Sequence, residues 1–506
     1  MIIHGSVSTK TEEIRHQRSK ILERYPESIK IVKVKFRHSK FFCGHRFQIS
    51  KFQINMAKNK LRQSDLLFSN RDLFFLLVPA MIEQLLNSLM GTVDSMMVSN
   101  IGGAAISAVS LTDSINVLII QMFSALAAGG TIICSQYLGK DEPENCNKAA
   151  HQVFLSVLII SAAVTILCVA LHNPLLSFIF GQVDDDVMEA SRIYFLTTAL
   201  SYPFIAMFNV HAAFFRSEGN SGLPMKVSVS CNLLNIAGNA FLIFGLHLGV
   251  FGAALSTLIS RAVMAFVMLF FQRRKKQVIV IRNYLIRPDF ALIITILSVG
   301  IPSGIENGMF QFGKLAIQST VSTLGTAAIA AEAMAILLEN LSGIAGIGMG
   351  IGLMTVVGQC IGAGKPEMAG YYIKKVTLIA EVVVTFTTLL MYSLTGPITR
   401  LAGLEQESAE MCLFMMTVIT IMKPIFWTLA FVPAYGLRAA GDVKFSMLTS
   451  TCTMWFCRVA LVFYLIRFRG FGPIGVWIGQ ISDWGLRALI FSLRFRSRKW
   501  LRHKVV

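Results

Sequence analysis

The stretch Val78–Gly102, VPAMIEQLLNSLMGTVDSMMVSNIG, decides the fold. It is apolar and long enough to cross a bilayer, which takes roughly 20 helical residues. It nonetheless carries Pro79, Glu83, Asn87 and Asp94. Glu83 and Asp94 are eleven positions apart, about three helical turns, so they share one face with Asn87. A charge in hydrocarbon is costly, and carboxylates placed there face a bundle interior or a watery cavity. Two roles follow for such a group: binding an ion or proton, or tying one helix to another. Both stay open for Glu83. Asp94, further into the span, is the stronger functional candidate.

The same stretch returns from Val299 as VGIPSGIENGMFQFGKLAIQSTVSTLG. Pro79 and Glu83 match Pro302 and Glu306, Gly102 matches Gly325, and QYLGKDEPE from Gln136 matches QCIGAGKPE from Gln359, all at an offset of 223 without a gap. An internal repeat sets the architecture before any local reading does. Two copies in one direction, each with an even number of spans, are parallel repeats about an axis along the membrane normal.

Composition agrees. The 506 residues are 54% hydrophobic, with a mean hydropathy of +0.62, which marks a polytopic membrane protein. The formal charge of +18 does not imply a nucleic-acid partner, because the basic residues sit in tails and links between apolar spans. The nine cysteines show no metal or disulfide spacing. The Asp184–Asp186 run reads as a solvated acidic loop rather than a metal site.

The pattern predicts an all-α protein of twelve transmembrane helices, near 73–98, 104–136, 151–171, 191–214, 226–246, 252–271, 290–321, 327–358, 375–396, 411–435, 445–466 and 473–493. They divide into an N-lobe (71–272), a basic linker (273–289), a C-lobe (290–493) and a basic tail (494–506). Residues 1–70 read as a basic extension, and Met56, followed by a compact basic stretch, is a candidate start. Lys and Arg crowd the link after the sixth helix and the tail, which puts both termini in the cytoplasm. Pro79, Pro302 and Pro424 are expected to break or kink their helices.

Five motifs together resemble the MATE (multidrug and toxic compound extrusion) transporters. They are P-x-x-x-E-Q from Pro79, V-D-S-x-M-V around Asp94, N-x-x-x-N-x-x-x-I-F-G from Asn235, G-Q-x-x-G-A-G-K from Gly358, and R-x-x-G at Arg216 and Arg438. The resemblance covers roughly residues 65 to 495. It implies two six-helix lobes around a central cavity in the inner (plasma) membrane. It also implies export of small amphipathic organic cations in exchange for Na⁺ or H⁺; separately from the resemblance, a monomer is the expectation. No metal, cofactor or nucleic acid is implied beyond that coupling ion. Asp94 falls on the family's aspartate for cation or proton binding and Asn235 on its asparagine. Asn239 stands where the pattern often has aspartate, which removes one charge. Thr257 is a further oxygen donor. With Glu83 these make the coupling candidates.

The C-lobe has its own polar set: Glu306, Gln311, Lys314, Glu332 and Glu339. A lysine within the membrane needs a partner, and Glu332 is the first candidate for Lys314. The set reads either as a coupling or substrate site or as an interhelical ion pair. Lys423 and Glu381 are further candidates, whereas Arg261 and Arg458 are expected to snorkel to an interface. His151, His211 and His247 are isolated near span ends and read as interfacial. A lipid-linked saccharide flippase of related two-lobe plan is the alternative function. An enzyme is disfavoured, since no HExxH, GxSxG or P-loop occurs.

Overall fold

The computed structural model describes residues 66–181, 183–274, 277–281, 287–503 and 505–506. Most of the basic extension, with Met56, and part of the linker lie outside the described residues. A first unit of the chain ends at Leu66, and the helices belong to the compact unit Leu67–Val506.

Every regular element among the described residues is a helix. The N-lobe holds α1 (Asn70–Ser99), α2 (Gly103–Gly139), α3 (Pro143–Ala170), the short α4 (His172–Phe180), α5 (Asp185–Ala199), α6 (Tyr202–Ser217), α7 (Gly222–Asn239) and α8 (Gly249–Gln272). The C-lobe holds α9 (Phe290–Val321), α10 (Thr326–Gly362), α11 (Pro366–Leu401), α12 (Gln406–Ala439), α13 (Val443–Cys452), α14 (Leu461–Arg469) and α15 (Ile474–Arg496). The repeat is closest in the second span of each lobe: α2 and α10 are each 37 residues and coincide end for end under the 223 offset. Both lobes also insert a wide π-type turn at the same stage, Ala240–Gly245 after α7 and Thr453–Ala460 after α13.

Among the described residues, ten helices are long and apolar enough to cross a membrane, and α5 with α6 forms an eleventh, bent by 43°. The twelfth is α15, which carries a buried Asp483–Arg487 pair. The twelve-helix, two-lobe architecture therefore stands. The expected unbroken span 191–214 does not, and its bend has a local cause. Pro203 has no N–H to give the Ala199 carbonyl four residues back. That carbonyl instead faces the Thr165 hydroxyl at 3.4 Å. At Pro79, Pro302 and Pro424, by contrast, the helix runs on without a break.

Each lobe packs around its own apolar centre. Phe123, Phe195, Tyr202 and Phe214 fill the N-lobe, and Trp427, Trp477, Trp484 and Met416 the C-lobe. Large apolar side chains such as Ile166, Phe178, Val382 and Phe456 are exposed on the outside, where a lipid-facing surface would place them.

The linker is tied to the N-lobe rather than draped over it. Ile279 and Ile281 are fully buried. The Val280 N–H donates to Asn147 Oδ1 at 2.8 Å, and Asn147 Nδ2 donates to the Val278 carbonyl at 2.9 Å. Glu218, just past α6, accepts the Ile279 N–H at 2.7 Å. Burial lifts the Glu218 carboxyl from its ordinary 4.5 to about 7, against the pull of that hydrogen bond. The folded state thus holds this proton more tightly than the unfolded chain. Its contribution to stability is fullest below the unfolded value and is lost as pH rises through about 7. Glu218→Gln is expected to flatten the fall in melting temperature between about pH 5 and about pH 8. Parallel melting curves for the two proteins would show that Glu218 plays no such part.

The lobes meet along a glycine seam at the linker end. A Cβ on Gly139 would overlap the Gln359 carbonyl, and one on its repeat mate Gly362 would overlap the Gln136 carbonyl. The amides reciprocate: Gln136 Nε2 donates to the Ala439 carbonyl at 2.8 Å, and Gln359 Nε2 to the Ser217 carbonyl at 2.7 Å. Further along, Gly358 faces Ser135, Gly348 faces Met81 and Gly129 faces Gly300 across the same seam. At the opposite ends of α1, α2 and α10, Cβ atoms on Gly102, Gly103 and Gly325 would meet nothing within 4 Å. The molecule is therefore closed at the linker end. Gly139→Ala with Gly362→Ala should shift it away from this form, because both new methyls strike backbone. Spin labels at the exposed Lys140 and Lys365 are expected to report longer distances in the double variant. An unchanged distribution would show that the seam can relax around them.

Candidate functional site

The N-lobe site forms where α1, α7 and α8 approach. Asn239 Nδ2 donates to Asp94 Oδ1 at 2.7 Å. Asn235 does so at 2.8 Å, in the amide orientation that also lets its oxygen accept the Thr257 N–H at 3.3 Å. The Thr257 hydroxyl donates to the Ala253 carbonyl within its own helix at 3.1 Å. Asp94, Asn235, Asn239 and Thr257 are thus brought together. Asn239 Oδ1 is buried with no hydrogen-bond partner. A buried acceptor without a donor calls for an explanation such as an ion or proton.

Sequence reasoning missed the second carboxylate here. Asp113 of α2 accepts from Asn116 Nδ2 at 3.1 Å and from the Tyr194 hydroxyl at 3.3 Å. Its charge acts directly on Asp94. Arg261, expected to snorkel, instead donates to Ser201 Oγ at 2.8 Å and acts on both carboxylates. Two carboxylates and one guanidinium leave a single net negative charge, which one monovalent cation or one proton neutralises. The clue lay in the sequence, since an aspartate within an apolar span is a functional candidate by position alone.

Glu83 does not join this cluster. It lies eleven residues, about 16 Å, down α1 from Asp94. It accepts from Arg216 Nη2 at 2.5 Å. The repeat reproduces the arrangement, with Arg438 Nη1 at 3.6 Å from Glu306 Oε2. The two R-x-x-G turns therefore supply more than a basic cap. Each anchors the end of its lobe's fourth span to its first. Nor is His211 interfacial: it is fully buried between Phe154 and Phe214. Burial there fits a neutral ring packed as an aromatic.

In the C-lobe, Glu306, Gln311, Lys314, Glu332 and Glu339 all line one cavity of about 680 Å³, which reaches Gln121 of the N-lobe. The expected Lys314–Glu332 pair is not there. Glu332 accepts the Trp477 indole N–H at 2.9 Å. Glu339 is taken by Lys423, whose ammonium donates at 2.7 Å each to Glu339 Oε1, to the Glu339 carbonyl and to Ser342 Oγ. An ammonium has three protons, so Lys423 is saturated and structural. Lys314 instead stands 5.1 Å from the centre of the Phe310 ring. Arg458, also expected at an interface, is buried, bonded to Gln480 and lines the cavity. Glu381 does not line it.

A family model described as MatE matches residues 79–241 and again 302–464, once per repeat. The chain is 27% identical over 434 residues to the uncharacterized transporter YisQ of Bacillus subtilis, covering 85% of this chain and 94% of YisQ. It is 25% identical over 464 residues to a probable multidrug resistance protein, NorM, of Thermotoga maritima, covering 89% and 97%. Among solved structures it resembles an outward-facing multidrug resistance MATE transporter of the MOP superfamily, with a TM-score of 0.77 at 21% identity, covering 84% of this chain and 95% of that one. These are transporters, not enzymes, and none supports the saccharide flippase alternative. With one family match on each repeat and the same two-lobe fold, the chain belongs to the MatE family of multi-pass membrane transporters.

Proposed function

We propose that this protein is a secondary active multidrug exporter of the inner membrane, with both termini cytoplasmic. It acts as a monomer and exchanges small amphipathic molecules, organic cations among them, for one inward-moving Na⁺ or H⁺. The coupling ion binds at Asp94 with Asn235, Asn239 and Thr257, and Asp113 and Arg261 set the local charge. One observation carries the reading: the unpartnered Asn239 Oδ1 sits beside a carboxylate cluster with one excess negative charge. Oxygen donors with a single net charge suit a hard monovalent cation, and the same carboxylates suit a proton. The Thermotoga maritima relative, named as a probable multidrug resistance protein, supports the same class. Transport then alternates between the form closed at the linker end and one closed at the other. A bound ion shifts that equilibrium by its differential affinity for the two forms.

The test uses purified protein in liposomes with a fluorescent organic cation, under a pH gradient alone and a Na⁺ gradient alone. One gradient is expected to drive the dye, and the driving gradient names the ion. Dye that moves under neither would overturn the exporter reading.

A further inference from the structure

We propose that the C-lobe cavity is an anion-accepting subsite, in which Lys314 and Arg458, both gathered over Phe310, hold a carboxylate of the transported molecule between them. The proposal rests on the exporter reading and adds to its cargo aromatic amphiphiles that carry an anionic group, alone or beside a cationic one.

The charges around the cavity do not balance internally. Glu306 pairs with Arg438, Glu339 with Lys423 and Asp483 with Arg487. Glu332 accepts from Trp477. Lys314 and Arg458 are left with no ion pair among the described residues. Apart from the Glu306–Arg438 pair, the lining residues Lys314, Arg458, Arg487, Glu332 and Glu339, with Lys423 and Asp483 paired to them from behind the wall, make four cations and three carboxylates. The excess is one positive charge, which one anionic group neutralises. Arg458 is 7% exposed and its Nε has no hydrogen-bond partner. A guanidinium that is buried and only partly bonded is a costly arrangement unless something completes it.

Geometry gives the unpaired cations a common focus. Lys314 Nζ is 5.1 Å and Arg458 Cζ is 5.5 Å from the centre of the Phe310 ring. The ring face attracts both but does not remove their mutual repulsion. An anion between them does, and the planar guanidinium fork matches a carboxylate in particular. Trp427, Phe431 and Trp484 supply apolar wall for a flat ring system. A volume of about 680 Å³ falls within the roughly 300–1,000 Å³ of small-molecule sites.

The experiment uses the full chain in detergent and two probes with one fluorophore, dansylglycine (a carboxylate) and dansylcadaverine (an ammonium). Binding is read by energy transfer from the cavity tryptophans. Dansylglycine is expected to bind at least about tenfold more tightly, the scale of one charge-assisted hydrogen bond. Lys314→Gln and Arg458→Gln are each expected to weaken dansylglycine about tenfold and to leave dansylcadaverine unchanged, while Lys314→Arg retains binding. Should Arg458→Gln fail to fold, the Lys314→Gln and Lys314→Arg pair decides alone, since Lys314 is only half-buried. Equal or tighter binding of dansylcadaverine, binding of neither probe, or full dansylglycine binding by Lys314→Gln would each overturn the proposal. The two readings fail separately. Dansylglycine bound but unmoved by any gradient removes the exporter and leaves the subsite. A cationic dye driven by a gradient in a protein that does not bind dansylglycine removes the subsite and leaves the exporter.

Discussion

The Asp94→Asn protein is expected to lose gradient-driven dye transport completely while keeping its fold. Asparagine is nearly the same shape and still offers an oxygen to Asn239, so the packing of α1 against α7 survives. What goes is the charge. The cluster of Asp94, Asp113 and Arg261 falls from one net negative charge to zero. A neutral cluster gives a cation little reason to prefer either form of the transporter. In the proposed exchange that preference drives the cycle, since swinging a two-state equilibrium from 1:99 to 99:1 takes about 5.5 kcal/mol of differential binding. Gradient-driven flux in liposomes measures the outcome directly, with the melting temperature as the control on folding. Normal coupling in the variant would relocate the ion site to another carboxylate, with Asp113 the first to try.

Lys423→Met is expected to destabilise the C-lobe by roughly 3–5 kcal/mol, the usual effect of removing one partner of a buried ion pair. The substitution leaves Glu339 buried without its counter-charge, and Ser342 Oγ and the Glu339 carbonyl each lose a donor. Methionine fills most of the space beside Trp427, so the loss is electrostatic rather than a cavity effect. Adding Glu339→Gln should restore much of the stability, because the stranded charge is gone. Thermal denaturation of the three proteins in detergent measures this. A single variant as stable as the wild type would mean that Glu339 finds another partner or a proton.

The architecture could be read from the chain because it is written twice. Pro79, Glu83, Gln136 and Gly139 each have a partner 223 residues on, and such agreement outweighs any local ambiguity. The N-lobe site was partly legible for a similar reason: Asp94, Asn235 and Asn239 lie in motifs with fixed spacing. Asp113 lies in no such motif and showed only as a charge in an apolar span. Pairing was the least legible part. Glu339 meets Lys423 rather than a nearer lysine because α12 packs against α10 in a register that neither sequence segment encodes alone. Lys314 and Arg458 were misread likewise, one given a partner and the other sent to the surface. Whether a long cation snorkels or turns inward depends on how its helix is rotated, and that is set by packing with its neighbours.

The glycine seam also separates sensing from motion. Its closest contacts set glycine against carbonyl oxygens, and glutamine amides against carbonyls, with none that ionises at ordinary pH. Such a latch is indifferent to acidity and, with no ion pair across it among the described residues, nearly indifferent to ionic strength. The carboxylates of the ion cluster and the unpaired cations of the cavity each belong to a single lobe. Bath chemistry therefore acts on what each lobe carries, while the energy of bringing the lobes together stays fixed. An exporter divided in this way could take up a different driving ion or a different cargo through changes inside a lobe, with the machinery of closure untouched.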